Sequence, residues 1–308
     1  GMHAVKQFES FNLNELPDVY LPLGTQLNQT VPNPFRGILP ANSTLGQGAN
    51  VTRQRLLLRF PQYNNVTIHG VTTGRGLYHS GQLNVNKRLS KGLTTTFIYT
   101  FSRLMDNNTT SIVNPRRYRS VSQFDQKHVS RIAVTYDLPW KFQGSGAAKT
   151  AARYAIGGWK VAGLVSLASG TPLTITHPNG RPVRIRNPRL TGPIVDRLGD
   201  RRDGTRVLNP YFDTGAFQAF ATPFVVSPEP PFFDELRAPG TRSLNLNLFK
   251  QIPIRERLKL ELRMESSGFT NTPNFNAPAT ALNNAATFGV INGAGGSRNM
   301  QGAVRVVF

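Results

Sequence analysis

Apolar and polar residues alternate with a period of two through seven segments of the chain, each about ten residues long, which predicts strands with two unlike faces. Between Tyr78 and Leu89, Gly81, Leu83, Val85 and Leu89 fall on one face, and Ser80, Gln82, Asn84 and Asn86 on the other. Leu93, Thr95, Phe97, Tyr99 and Phe101 then alternate with Thr94, Thr96, Ile98, Thr100 and Ser102. Ile132, Val134, Tyr136 and Leu138 oppose Arg131, Ala133, Thr135 and Asp137, and Trp159, Val161, Gly163, Val165 and Leu167 share a face. Leu244, Leu246 and Leu248 alternate with Ser243, Asn245 and Asn247. Leu258, Leu260, Leu262 and Met264 alternate with Lys259, Glu261, Arg263 and Glu265. The last run sets Gly302, Val304, Val306 and Phe308 against Gln301, Ala303, Arg305 and Val307.

Four successive charged residues on one face of a strand cannot sit in a dry core, so that face must be wet. A soluble antiparallel sheet alternates in the same way, so alternation alone leaves two architectures open. Connection lengths separate them. Residues 271–298 are a long loop and 251–256 a short turn; 171–240 is very long and 140–158 intermediate; 104–127 is long and 90–92 a tight turn. Long and short connections alternate along the chain, as in barrels with long loops on one side of a membrane and short turns on the other. The expected fold is all-β: an antiparallel transmembrane β-barrel segment of roughly eight to ten strands, with short periplasmic turns and long extracellular loops. It occupies 1–308 as one unit, with 171–240 the longest extracellular loop.

Composition fits a chain of strands and loops, with 22 Pro and 28 Gly among 308 residues. Hydrophobic residues make up 39%, low for a packed soluble domain but natural where every second strand residue faces lipid. The most apolar stretch, Ala155 to Gly170, is broken by Lys160 and too short for a spanning helix, and no secretory signal opens the chain. With 36 Lys+Arg against 16 Asp+Glu, the net charge is +20. Phosphate binders gather such charge on one face; here it is spread out, with one denser region from Arg181 to Arg206. Nucleic acid is therefore not an expected partner. The competing possibility is a soluble basic β-protein binding polyanions, nucleic acid or anionic glycan, through that region.

No enzymatic activity is expected. There is no cysteine, so thiolate chemistry is excluded. His3, His69, His79, His128 and His177 show no metal-ligand spacing, and no nucleophile elbow or phosphate-binding glycine loop occurs. Asn42-Ser43-Thr44, Asn50-Val51-Thr52 and Asn65-Val66-Thr67 match the glycosylation acceptor by chance in a bacterial outer membrane. Neither a cofactor nor a metal is expected.

The chain also carries Val31-Pro32-Asn33-Pro34-Phe35, Tyr78-His79-Ser80-Gly81-Gln82-Leu83, and Lys87-Arg88-Leu89-Ser90-Lys91-Gly92-Leu93. Tyr99-Thr100-Phe101-Ser102, Gly157-Gly158-Trp159 and Ser169-Gly170-Thr171-Pro172-Leu173-Thr174-Ile175 follow. Tyr211-Phe212-Asp213-Thr214-Gly215-Ala216-Phe217 and Asn271-Thr272-Pro273-Asn274-Phe275 complete the set. In this order they resemble the C-terminal barrel portion of Oar-like TonB-dependent outer-membrane receptors, the type with a carboxypeptidase-regulatory-like domain. One departure is Ser267-Gly268, where the family has an aromatic-Asn pair that would join the interfacial girdle.

The resemblance implies a barrel of about twenty-two strands when intact, a Gram-negative outer-membrane location, and uptake of a bulky substrate with no chemistry done on it. It also implies that this chain is a fragment or a truncated gene product lacking the plug and TonB-contacting segments, so TonB is a partner only through segments missing here. Leu83, Val85, Phe97, Tyr99, Phe101, Leu258, Leu260 and Leu262 are expected to face lipid. Asn84, Asn86, Lys259, Glu261, Arg263 and Glu265 are expected to face the lumen. Val304, Val306 and Phe308 resemble the C-terminal signal read by the barrel-assembly machinery. Arg181, Arg184, Arg186, Arg189, Arg197, Arg201, Arg202 and Arg206 are candidates for an anionic-ligand loop, for instance lipopolysaccharide phosphates, since guanidinium pairs bidentately with such oxygens.

Overall fold

The computed structural model describes residues 1–40, 43, 45–111, 113–114, 116–140, 146–190, 210–255 and 258–308. Eight long strands form a single sheet: β1 (Met2–Asn12), β2 (Thr67–Ser90), β3 (Leu93–Ser111), β4 (His128–Asp137), β5 (Trp159–Ala168), β6 (Thr241–Pro253), β7 (Lys259–Ser267) and β8 (Asn299–Val307). Each pairs antiparallel with its neighbour in sequence, so the sheet is a meander in chain order, and Arg116–Val121 folds back onto β3 as a ninth strand. The sheet is open: β1 and β8 are its two edges.

Register decides what the sheet presents. From β3 to β8 the pairing runs without a bulge, so the period-two pattern of each strand stays in phase with the next. One cross-strand row runs Val85, Phe97, Ile132, Val165, Leu244, and another Tyr136, Val161, Leu248, Met264, Gly302. The apolar residues of seven strands therefore share one continuous face. β2 and β3 are joined through Lys91 (φ 51°) and Gly92 (φ 81°), the paired left-handed conformations of a two-residue turn whose twist matches the strands.

No hydrophobic residue in the stretches from 80 to 103 or in β4 to β8 is fully buried. Much of both faces of that part of the sheet is exposed among the described residues, although Ser102, Lys250, Glu261 and Ser266 are buried. The buried apolar residues lie instead in the long connections at one end. Leu173, Ile175, Tyr211, Phe212, Ala216, Phe217, Phe233, Leu236, Phe288 and Ile291 form one cluster drawn from residues 171–240 and 271–298. Phe212 meets Phe217 and Phe288 edge to face, at centroid distances of 6.1 and 5.3 Å. These two connections thus make a cap with its own core, tied by short pairings such as Pro172–Leu173 with Phe233–Arg237.

β1 and the outer half of β2 were not foreshadowed by alternation. β1 shifts register three times against β2 and holds Lys6 at φ 56°, so its side chains do not keep a period of two. β2 from Thr67 to Gly76 is rich in threonine and glycine, with no apolar repeat. The opposite end carries the turns and a helix, Ala147–Ala155, whose last carbonyl accepts from Trp159 Nε1 at 3.0 Å. No described helix is long and apolar enough to cross a membrane, which says nothing of strands.

Candidate functional site

The polar face of the sheet collects the six residues expected to line a lumen. Asn86 Nδ2 donates to Asn84 Oδ1 at 2.8 Å. Glu261 accepts from Gln251 Nε2 at 3.3 Å and pairs with Arg263 at 3.2 Å, while Arg305 lies across from it in register. Arg263 stacks over Phe249 at 5.4 Å. Lys259, beside the turn, sits between Pro253 and Val307. Glu265 accepts from Gln301 Nε2 at 2.7 Å and, with Asn245, Asn247, Ser267 and Asn299, lines a polar hollow of about 460 Å³. Chemically this face offers hydrogen-bond donors and acceptors and charges of both signs, of which Arg263 pairs with Glu261 and Lys160 with Asp137.

The opposite face carries Leu83, Val85, Phe97, Tyr99, Phe101, Leu260 and Leu262, in register with one another, and Leu258 closes the adjoining turn. Val304 and Val306 continue the face onto β8, exposed at 70% and 52%, and Phe308 beyond the strand is exposed at 95%. Lys87, Arg242 and Lys250 are cations in phase with this face. Lys250 lies between Trp159 and Leu262 in register, 2% exposed, with its ammonium 5.2 Å from the Trp159 ring centroid.

The arginine-rich stretch is folded into the cap. Arg186 grips Asp213 through two hydrogen bonds, at 2.6 and 2.9 Å. The hydrogen bond from Arg186 holds the Asp213 carboxyl below its usual range and raises the arginine in return. Arg184 pairs with Glu235 and packs over Phe233, and Arg181 stacks on Tyr118 at 4.5 Å. Arg189 contributes backbone hydrogen bonds around Asp213. Arg197, Arg201, Arg202 and Arg206 lie outside the described residues.

A cluster with no sequence signal organises the base of the cap. Asp125 is fully buried, and Arg237 donates to its carboxylate at 2.6 Å and to Asp234 at 2.5 Å. The same guanidinium reaches the backbone oxygens of Asp125, Gly170 and Asp234, and the second Asp125 carboxylate oxygen accepts from Leu104 N–H at 2.5 Å. Asp234 also takes Arg103 at 2.9 Å and Lys127 at 3.1 Å. Isolated Asp and Arg separated by over a hundred residues leave no local pattern, so sequence reasoning had nothing to find. Partial burial raises the Asp234 carboxyl, but the hydrogen bonds from Arg237 and Lys127 and the charges of Lys127 and Arg103 outweigh it and bring it to about 2.

A family model described as an outer membrane beta barrel domain matches residues 1–301. Nothing matches among curated proteins or among solved structures.

Two outcomes are expected of the ion cluster. Arg237→Ala strands the Asp125 carboxylate without its cation, at a cost of about 3–5 kcal/mol. The cap should then be cleaved by trypsin or chymotrypsin far faster than the sheet, and an unchanged cleavage rate would show that the pair does not anchor the cap. Asp234, with its folded value below the unfolded value of ~3.9, stabilises the cap at pH above about 4 and ceases to do so as pH falls toward 2. Amide exchange of residues 233–237, corrected for intrinsic rate, should accelerate over that window relative to β4, and Asp234→Asn should remove the dependence.

Proposed function

The chain belongs to the outer membrane beta barrel domain family, and on that premise we propose that it builds part of the barrel wall of a TonB-dependent receptor of the Oar-like type. Its part is passive: an apolar face toward lipid, a polar face toward the lumen, and a folded cap over the external end. The observation that carries this reading is the bare sheet. Monomeric soluble proteins rarely expose contiguous apolar patches above a few hundred Å², yet Leu83, Val85, Phe101, Leu167, Met264, Val304 and Val306 are all more than a third exposed on one face. In hydrocarbon that face needs no cover. The adjoining turns are the periplasmic ones in this reading, and Lys250 beside Trp159 then lies near the interface, where an apolar stem and a cationic tip are both accommodated.

Bulky-substrate uptake follows from the resemblance and from the polar inner face. TonB would be engaged through plug segments of the natural protein. The exposed Val304, Val306 and Phe308 support recognition by the barrel-assembly machinery, and lipid and lipopolysaccharide are the surrounding partners. Two open edges are compatible with further strands completing the barrel.

Refolded in detergent, the chain is expected to give a compact species whose electrophoretic mobility shifts on boiling, and to aggregate in plain buffer. Val165→Arg, mid-strand on the apolar face, should cost about 2–4 kcal/mol in lipid vesicles, and Leu164→Arg on the other face much less. A monodisperse chain in plain buffer that is retained on heparin would sink the barrel and return a soluble polyanion binder. The importer role is tested by binding of the periplasmic domain of TonB to the full-length natural protein purified from outer membranes. Saturable binding is expected, and none would reduce the assignment to a barrel without energised transport.

A further inference from the structure

The apolar face is not apolar to its end. Where β3 to β6 approach the cap, Tyr99, Ser130, Leu167 and Arg242 stand in one cross-strand row. The next row outward holds Phe101 and His128, with Ser169 bonded to His128 on its far side. Ser130, Ser169 and Gly240 are small, so the face sinks between taller neighbours into a cavity of about 730 Å³. A Cβ on Gly240 would lie 2.7 Å from the Ala168 carbonyl oxygen, so that strand end needs glycine.

One wall is aromatic. The Tyr99 hydroxyl and His128 Nδ1 are 2.7 Å apart, and the Phe101 ring lies 5.2 Å from the His128 ring. The other wall is Arg242 with Pro273 and Phe275. The Arg242 backbone N–H donates to Asn274 Oδ1 at 2.7 Å, which ties the 273–275 loop beside it. Its guanidinium has no ion pair or hydrogen bond among the described residues, whereas Arg186 and Arg237 are paired with carboxylates. No carboxylate lines the cavity.

We propose that this notch binds the phosphate-bearing headgroup of an outer-leaflet lipid, with Arg242 holding the phosphate and an acyl chain lying on Leu167, Val165 and Leu244 below. The inference rests on the placement of the apolar face against lipid. A planar, unpaired guanidinium is suited to two parallel bonds with phosphate oxygens. His128, Ser130 and Ser169 add polar contacts for the remaining headgroup atoms. A solvent-borne anion would explain the arginine alone. An amphiphile explains why the cation stands at the upper limit of an uncovered hydrophobic surface with a recess between them.

The test uses the full-length protein in an uncharged detergent and native mass spectrometry, with diphosphoryl lipid A, its dephosphorylated form and inorganic phosphate as probes. Diphosphoryl lipid A should bind at least tenfold more tightly than the dephosphorylated form. Arg242→Ala should lose that preference, Arg242→Lys should keep part of it, and Arg305→Ala on the polar face should keep all of it. Millimolar inorganic phosphate should not displace the lipid. Equal binding by wild type and Arg242→Ala, equal binding of the dephosphorylated lipid, or displacement by inorganic phosphate would each overturn the proposal. Boiling-dependent mobility of every variant reports folding. A wild type that does not fold in detergent overturns the barrel and this site together; a folded wild type without the preference overturns the site alone.

Discussion

Backbone pairing without water is the constraint on which everything else in this chain depends. In hydrocarbon each unpaired N–H or C=O costs several kcal/mol, so strands can cross only when their neighbours satisfy them. The meander meets this in the most local way, each strand bonding to the ones before and after it in sequence. Regular pairing from β3 to β8 does a second job. Because side chains alternate with a period of two, an unbroken register is what aligns Phe97, Ile132, Val165 and Leu244 across four strands. One slipped residue would turn a strand's apolar set to the polar side. Within the sheet the register shifts are confined to β1, to the β2–β3 turn, and to the tip of the hairpin that β3 makes with Arg116–Val121 at its other end.

What could be read in the sequence follows from the same physics. Wherever a strand has one face in oil and one in water, composition must alternate, and Leu258 to Glu265 or Leu93 to Ser102 announce themselves. β1 has no such need. Its partner residues, Thr67 to Tyr78, lie beyond the apolar belt and are rich in threonine and glycine, and β1 breaks register three times against them, so no period-two pattern survives. The cap was illegible for another reason. Phe212, Phe217, Phe233 and Phe288 come together from positions far apart, on irregular backbone whose side chains have no period. The motif Tyr211 to Phe217 lies in this core: Phe212 and Phe217 are buried in it, while Asp213 caps the Thr214–Ala216 turn and takes Arg186.

Charge in the cap is organised rather than displayed. A count of arginines between 181 and 206 suggests a basic surface, but Arg184 and Arg186 are matched to Glu235 and Asp213, and Arg181 lies against Tyr118. Arg237 is the extreme case, spending its donors on Asp125, Asp234 and the Gly170 carbonyl. A buried pair like this contributes little net stability against an apolar equivalent, yet removing one member is costly. Its value is geometric: it fixes Phe233–Arg237, and with it the cap, over the ends of β3 and β5. Arg242, whose guanidinium has no ion pair among the described residues, stands instead at the rim between cap and sheet.

The two open edges are not equivalent, and the difference bears on how the wall is completed. β1 is broken by three register shifts and carries Lys6 and Glu9, features that blunt an edge against indiscriminate pairing. β8 has no register shift and carries one charge, Arg305. Its nine residues pair regularly with β7 and present Val304 and Val306 on an exposed face, a flat template for another strand. On β2, β1 reaches only as far as Tyr78, so the stretch from His79 to Ser90 pairs with β3 alone among the described residues. Both regular, singly paired stretches, His79 to Ser90 and β8, carry members of the apolar belt, while the bulged edge lies beyond it. That distribution is the one expected where the flat edges find partners inside a bilayer and the irregular one stays in water. It locates the unsatisfied demand of the sheet at the level of its hydrophobic face.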